Sequence, residues 1–245
     1  MDFLDILERH ERVFSDTGFL DVTENIYRDF FYDLRTYDDV DKKKYQEILD
    51  LIQLKIEWYQ QPNVVSVDGV VEEHSRFANL MSEKLRFLNQ KRYSDKTKRE
   101  LLDHIVRLQH CVVKRSRHST YHSRNTSECL TLVKFVIERA EQEQAKEKPF
   151  YRKATRFEDT HADEQLVGCA LHSALYENTP CAIATSDTDI YYIFKALRDA
   201  DPFRNLNIDI ASLPITIYLR KPSGNIEVIE SLEREKVHYD DLQYA

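Results

Sequence analysis

The 245 residues of this chain can form one large domain or two small ones, and 42% hydrophobic residues are enough for a substantial core. A charged fraction of 32% with only 4 Gly and 6 Pro indicates a compact, mainly helical protein and excludes disordered and fibrous classes. The net charge of -8 argues against a protein that coats nucleic acid indiscriminately.

The sequence also bears on the compartment. The amino-terminal stretch, residues 1–12, is acidic and amphipathic where an export signal would be basic and then apolar. No uncharged apolar run approaches the roughly 20 residues needed to cross a bilayer. We therefore expect a cytoplasmic protein without a membrane partner. The four cysteines form no CxxC pair and have no histidines at zinc-finger spacing, so we expect reduced thiols at Cys111, Cys129, Cys169 and Cys181.

In chain order, the first third begins with a short strand, RVFS at 12–15, that runs into Asp16. Apolar residues at steps of four then predict one helix over Asp21–Tyr37, and the same pattern predicts a second over Tyr45–Ile56, which Pro62 ends. The β-branched NVVSV, residues 63–67, reads as a strand, after which Gly69 turns the chain into a further helix.

The middle of the chain, residues 77–158, predicts helix without any strand signal. Ser94 and Asp95 are candidate N-caps for a helix over Lys96–Arg117, and Asn125 with Glu128 has capping-box spacing for a helix over Ser127–Lys146. Residues 114–125 between them should be an exposed loop or helix end.

Strands return near the end of the chain. A helix with a small apolar face follows Asp163, CAIAT at 181–185 predicts a strand, and residues 188–200 predict a helix. ITIYL at 215–219 and IEVIE at 226–230 flank turn residues typical of a hairpin. Strands separated by helices at both ends of the chain predict an α/β fold, a mostly parallel sheet flanked by helices, with the helical middle as an insertion or subdomain.

Acidic residues lie where parallel sheets usually carry functional side chains, beyond the carboxyl ends of strands. The candidates are Asp16, Glu73, Asp163 and Asp187, with Asp189 two residues after the last. Carboxylates crowded in a crevice raise one another's pKa unless a cation neutralises them, so the pattern indicates a metal site.

Each acid also has an ordinary interpretation. Asp163 and Asp187 could be helix N-caps, and Asp189 could be a favourable charge in a first helical turn. Asp16 is harder to explain in this way, because Asp is depleted in strands. Single positions therefore leave the question open.

The amino-acid sequence around these acids resembles the four motifs of PIN-domain nucleases. FSDTGFL resembles the first motif, SVDGVVEEH the second, ADEQLVGCA the third and IATSDTDI the fourth, and they occur in the family's order. The resemblance covers residues 12–35, 63–76 and 160–230. It implies a PIN-like nuclease domain made of residues 1–76 and 159–245, with residues 77–158 inserted.

The resemblance further implies a metal-dependent endoribonuclease. Asp16, Glu73, Asp163 and Asp187 would hold one or two Mg²⁺ or Mn²⁺ ions, with Asp189 close by and Thr17 supporting the first ion or its water. Two departures matter. The family usually has Asn where this chain has Gly18, and the second motif offers both Glu72 and Glu73, of which the spacing favours Glu73.

Positive charge concentrates in one part of the chain. Between residues 84 and 124 there are twelve Lys or Arg and three acids, an excess of nine. Lys114, Arg115, Arg117 and Arg124 gather there with His118, Tyr121 and His122, which predicts phosphate contacts and base stacking. A solvated helix face, or a site for an acidic protein partner, would look the same.

Three alternatives to an active ribonuclease stay open. One is a PIN-like module that binds RNA or a protein through the helical insertion. Another is an α/β phosphatase with Asp16 as nucleophile, which the missing second acid of Asp-x-Asp makes the weakest. The last is a toxin of a toxin-antitoxin pair, although the long insertion is unusual for one. The oligomeric state is also open, with a homo-oligomer among the alternatives.

Overall fold

The computed structural model describes most of the chain: residues 3–21, 30, 42–90, 96–122, 126–144, 160–200, 202, 209–221 and 223–230. The described helices are α1 Phe3–Arg9, α2 Lys42–Trp58, α3 Asp68–Gln90, α4 Lys96–His118, α5 Thr126–Gln144, α6 Ala162–Tyr176 and α7 Asp189–Ala200. The strands are β1 Arg12–Ser15, β2 Val64–Val65, β3 Cys181–Thr185, β4 Ile215–Arg220 and β5 Ile226–Glu230.

These strands form one five-stranded sheet in the order β2-β1-β3-β4-β5. The first four strands of that order are parallel, and β5 is antiparallel to β4. The fold is therefore mixed α/β with a mostly parallel sheet flanked by helices, as the alternation of strand and helix patterns predicted.

The order of the strands creates a crevice between β1 and β3. From β1 the chain passes to β2 on one side, and then crosses to β3 on the other side of β1. Helices that connect to opposite sides of such a switch point leave a gap beyond the carboxyl ends of the two central strands. Asp16 directly follows β1, and Asp187 follows β3 after one intervening residue. The topology therefore brings these two acids to the same gap.

The helices of the middle region belong to the same core as the sheet. Helix α4 packs against α2 and α3, while α5 packs against α6 and α7. Apolar side chains of α4 and α5 join a single buried cluster with the strands, including Leu102, Ile105, Val133 and Val136. The division into a nuclease domain and an insertion stays a prediction, but these helices do not have a separate core within the described part of the chain.

Most predicted elements agree with the structure within a few residues. The strand predicted at 63–67 is shorter, because Ser66 makes an isolated parallel bridge with Thr120 and helix α3 begins at Asp68. The helix predicted over Asp21–Tyr37 lies mostly outside the described residues, within which Phe30 is helical and buried. The caps predicted at Ser94, Asp95 and Asn125 also lie outside them.

Two simpler expectations can be compared directly. All four cysteines are free thiols, with Cys111 exposed and the other three buried, as predicted. Across the described ranges, none of the helices combines the length and the apolarity needed to span a membrane.

Gly69 allows two helix starts to touch. A Cβ at this position would lie 2.7 Å from Cα of Ala162 and 2.9 Å from the carbonyl oxygen of Thr160, both backbone atoms. The amide N–H of Gly69 also donates a hydrogen bond of 2.8 Å to the side chain of Gln165. The first turns of α3 and α6 are therefore in direct contact, close to Glu73 in the second turn of α3 and Asp163 in the first turn of α6.

Gly69→Ala should destabilise the protein, because the added methyl group can fit only if one helix moves. We expect a loss of about 1 to 3 kcal/mol in the free energy of unfolding, measured by urea denaturation. Asp68→Ala, at the exposed neighbouring residue, is the control and should have a much smaller effect. Equal effects of the two substitutions would contradict the close packing described here.

Candidate carboxylate site

Hydrogen bonds of its backbone and its carboxylate fix Asp16 at the end of β1. Its backbone N–H donates to the carbonyl of Ala184 at 2.9 Å, which continues the pairing of β1 with β3. One carboxylate oxygen accepts from the N–H of Thr17 at 2.6 Å. The other accepts from the hydroxyl of Thr185 at 3.0 Å. The carboxylate is thus tied to both central strands.

Glu73 reaches the same place from the second turn of α3. The hydroxyl of Thr17 donates to one of its carboxylate oxygens, and the hydroxyl of Thr160 donates to the other at 2.7 Å. Its neighbour Glu72 is exposed and pairs with Arg76 on the surface of the same helix. Of the two glutamates that the sequence offered, Glu73 is therefore the one that faces Asp16.

Asp163 is not the N-cap of α6, which corrects the ordinary interpretation of this residue. The helix begins at Ala162, and its N-cap is His161, which has φ 53 and makes no side-chain capping hydrogen bond. Asp163 is inside the first turn, partly buried, and close enough to Asp16, Glu73, Asp187 and Asp189 for their charges to act on it.

Asp187 and Asp189 lie between β3 and α7. One carboxylate oxygen of Asp187 accepts a hydrogen bond of 3.0 Å from the N–H of Asp189, the first residue of the helix, so Asp187 does satisfy an amide at the helix start. The N–H of Asp187 donates to the hydroxyl of Thr185 at 2.9 Å. The same threonine therefore contacts both Asp16 and Asp187.

The electrostatics show that these carboxyl groups interact. Burial, together with the charges of Glu73 and Asp187, raises the pKa of Asp16 to about 7, against the hydrogen bonds from Thr185 and Thr17, which lower it. Burial also raises the pKa of Asp163 well above its ordinary value, with further increases from the neighbouring carboxylates. Acids from four separate segments of the chain thus share one partly desolvated region.

The donor set fits a hard divalent cation. It consists of carboxylate and hydroxyl oxygens, which Mg²⁺ and Mn²⁺ prefer, and these ions keep several waters through which more distant carboxylates can hold them. Within the described ranges, no three His, Cys, Asp or Glu side chains already stand together as a ligand group. Both carboxylate oxygens of Glu73 already accept hydrogen bonds from hydroxyl groups. A cation would therefore contact Glu73 through a water, or directly after these side chains rotate.

Gly18 occupies the position where PIN-domain nucleases, whose first motif this segment resembles, usually have Asn. A Cβ there would collide with the hydroxyl of Ser186 and lie 3.5 Å from a carboxylate oxygen of Asp16. In this chain the hydroxyl of Ser186 occupies the space beside residue 18 and would have to rotate away to admit a larger side chain.

Sequence reasoning did not single out Thr185 and Thr160, whose hydroxyls donate to Asp16 and Glu73. It also missed Lys55, a buried lysine that pairs with Asp21 and donates to the carbonyl of Thr17. Thr185 belongs to the fourth motif, but as the buried last residue of a strand it was not assigned a role. Lys55 lies seven residues after Ile48 and three after Ile52, which places it on the apolar face of α2. A lysine on an apolar face is unusual, so the sequence alone could have indicated it. Thr160 carried no comparable signal.

The basic residues lie at the end of α4. The side chains of Lys114, Arg115 and Arg117 are exposed and have no hydrogen-bond or ion-pair partner among the described residues, while Arg124 lies outside them. Their helix ends at His118, which is exposed like His122. The predicted role of these residues in binding nucleic acid stays a prediction.

The backbone places this basic end beside the carboxyl edge of the sheet. Ser66 donates to the carbonyl of Ser119 at 3.0 Å, and Tyr121 donates to the carbonyl of Ser66 at 2.9 Å. Thr120 is therefore level with Ser66 and lies two strand spacings, about 10 Å, from the end of β1.

Tyr121, which the sequence offered as a residue for base stacking, is half-buried and has several partners. Its ring packs edge-on against Phe14 with 5.4 Å between centroids, and its hydroxyl forms a 2.8 Å hydrogen bond with His172. The guanidinium of Arg12 lies 4.8 Å from the centre of the ring. Tyr121 fixes the chain after α4 onto the sheet.

Comparisons with known proteins do not identify a relative. No family model matches the chain, no curated protein matches it, and no solved structure matches it.

The raised pKa of Asp16 makes a prediction about stability. A carboxyl group with a higher pKa in the folded than in the unfolded state reduces stability as the pH rises from about 4 to about 7. In EDTA at pH 8, Asp16→Asn should therefore be more stable than wild type by about 1 to 3 kcal/mol in the free energy of unfolding. Its melting temperature should be correspondingly higher.

The pH dependence distinguishes this effect from a general one. The advantage of Asp16→Asn should shrink as the pH falls from about 7 towards about 4. Asp199→Asn, at an exposed position on α7, is the control and should have little effect at any pH. A variant that is less stable than wild type at pH 8 would contradict the repulsive site.

Proposed function

We propose that this chain is a metal-dependent endoribonuclease of the PIN type, which hydrolyses RNA phosphodiester bonds with Mg²⁺ or Mn²⁺. The observation that carries the proposal is the convergence of Asp16, Glu73, Asp163 and Asp187 beyond the carboxyl edge of β1 and β3. Burying several like charges together costs free energy, and a fold retains such an arrangement when a cation or a reaction uses it.

In the proposed reaction, the four carboxylates would hold the cation, directly or through its waters, and Asp189 would add negative charge at the start of α7. When bound, the metal lowers the pKa of a water for attack on phosphorus and neutralises charge on the leaving oxygen. Thr185 and Thr17 keep the carboxylates of Asp16 and Glu73 oriented by donating hydrogen bonds to them.

RNA fits the surface as well as the site. The end of α4 carries Lys114, Arg115 and Arg117, which are exposed, and Thr120, just after this helix, is about two strand spacings from the end of β1. An interval of about 10 Å corresponds to roughly three stacked nucleotides at 3.4 Å each. A strand cut at the carboxylates could therefore bring a nearby phosphate to these cations, which supports a nucleic-acid substrate over a small phosphate ester.

Glu73 and Glu72 provide a matched pair for testing the activity. Glu73→Gln should lower the rate of manganese-dependent cleavage of labelled RNA by about 100-fold or more, because the site loses a carboxylate. Glu72→Gln should leave the rate near that of wild type, since Glu72 faces solvent and Arg76.

The assay should include single-stranded and structured RNA, each with Mn²⁺ and with EDTA. Asp16→Asn, purified in the same way, shows the level of contaminating nuclease. The proposal fails if wild type and Asp16→Asn cleave at the same rate, or if neither RNA is cut in the presence of metal.

A second candidate function is a PIN-like module that binds RNA or a protein without efficient cleavage. Gly18 in place of the usual Asn favours it, as do the three exposed cations at the end of α4, which have no partner among the described residues. In this case the working surface is the helical region, and the carboxylates are not needed for binding.

Charge reversal separates binding from cleavage. Arg115→Glu with Arg117→Glu should weaken RNA binding by at least about tenfold at moderate salt, because contacts to phosphate are largely electrostatic. Binding is measured by fluorescence anisotropy in EDTA. Arg86→Glu, at an exposed position on α3, is the control. If Asp187→Asn abolishes binding while the double charge reversal does not, the binding surface has been assigned wrongly.

A further inference from the structure

Lys55 is a buried lysine behind the carboxylate site. It belongs to the last turn of α2, and its side chain is only 1% exposed. Its ammonium group donates a hydrogen bond of 3.1 Å to the carbonyl of Thr17 and forms an ion pair with Asp21. A buried charge requires partners, and Lys55 takes them from the loop that follows Asp16.

The same helix holds the residue on the other side of Asp16. The indole N–H of Trp58, one turn after Lys55, donates to the hydroxyl of Ser15 at 2.9 Å. Lys55 and Trp58 lie three residues apart and so on one face of α2. Together they fix the residues immediately before and after Asp16.

The rest of the loop is held from other directions. The N–H of Asp21 donates to the carbonyl of Gly18 at 2.9 Å, and the guanidinium of Arg220 donates to the carbonyl of Phe19 at 3.2 Å. Thr17, whose carbonyl faces Lys55, directs its hydroxyl to Glu73. A shift of Thr17 would therefore move two of the carboxylates relative to each other.

We propose that Lys55 is a positioning residue, whose ammonium group fixes the backbone of Thr17 and thereby the orientation of the Asp16 carboxylate. The inference rests on the proposed function for its reaction, but its effect on metal binding can be measured without any cleavage. The competing explanation is that Lys55 only neutralises Asp21 in the folded protein. The two explanations differ in what happens when both members of the ion pair are removed.

The experiment compares three variants of the full chain with wild type: Lys55→Met, Lys84→Met and the double variant Lys55→Met with Asp21→Leu. Lys84 is a second buried lysine, 8% exposed, in α3. It serves as the matched control for loss of a buried ammonium group. The measurements are the melting temperature, the dissociation constant for Mn²⁺ by calorimetry, and kcat and KM for labelled RNA.

Lys55→Met should weaken Mn²⁺ binding about tenfold and lower kcat about 100-fold, because a small displacement of a positioned group has effects of this size. KM should change by less than about threefold, since the variant alters the geometry of the carboxylates and leaves the basic surface intact. Lys84→Met should keep wild-type Mn²⁺ affinity and kcat even if it melts at a lower temperature.

The double variant decides between the two explanations. Removing both charges avoids leaving Asp21 buried without its partner, so the melting temperature should recover towards that of wild type. Mn²⁺ affinity and kcat should stay low. Recovery of all three quantities would overturn the positioning role, as would Mn²⁺ affinity and kcat for Lys55→Met equal to those of Lys84→Met. If wild type neither binds Mn²⁺ nor cleaves RNA, the proposed function and this inference both fail.

Discussion

Repulsion between buried carboxylates is the constraint on which the rest of this structure depends. The sheet brings Asp16 and Asp187 to one crevice because β1 and β3 are adjacent and parallel. Helices α3 and α6 add Glu73 and Asp163 from the side, through a contact that only glycine at position 69 permits. Burial and the charges of the neighbouring carboxylates raise the pKa of Asp16 and of Asp163.

Hydrogen-bond donors offset this repulsion without removing it. Thr17, Thr160 and Thr185 give their hydroxyls to the carboxylates, and these donors sit on backbone that other elements hold in place. Neutral hydroxyls leave the negative charge in the crevice, where a cation would be attracted most strongly. Lys55, which is buried nearby, is paired with Asp21 and a backbone carbonyl. Its charge therefore interacts with the loop after Asp16.

Strand and helix periodicity predicted much of the fold, because β1, β3, β4 and β5 have strong local patterns and ordered turns. The acids could be predicted from their places after strands. Their partners could not, since Thr160 and Thr185 come into contact with Glu73 and Asp16 only through the tertiary fold. The contacts of Tyr121 could not be predicted for a similar reason: it lies in a basic segment of the sequence, but its half-buried ring packs edge-on against Phe14.

The most direct test of the account is a crystal structure of the full chain grown with Mn²⁺, with data collected at the manganese absorption edge. The account predicts an anomalous peak in the crevice between β1 and β3, within contact distance of a carboxylate oxygen of Asp16 or of a water bound to it. Strong peaks found only at other places on the molecule, with Asp16 and Asp187 pointing away from one another, would contradict it.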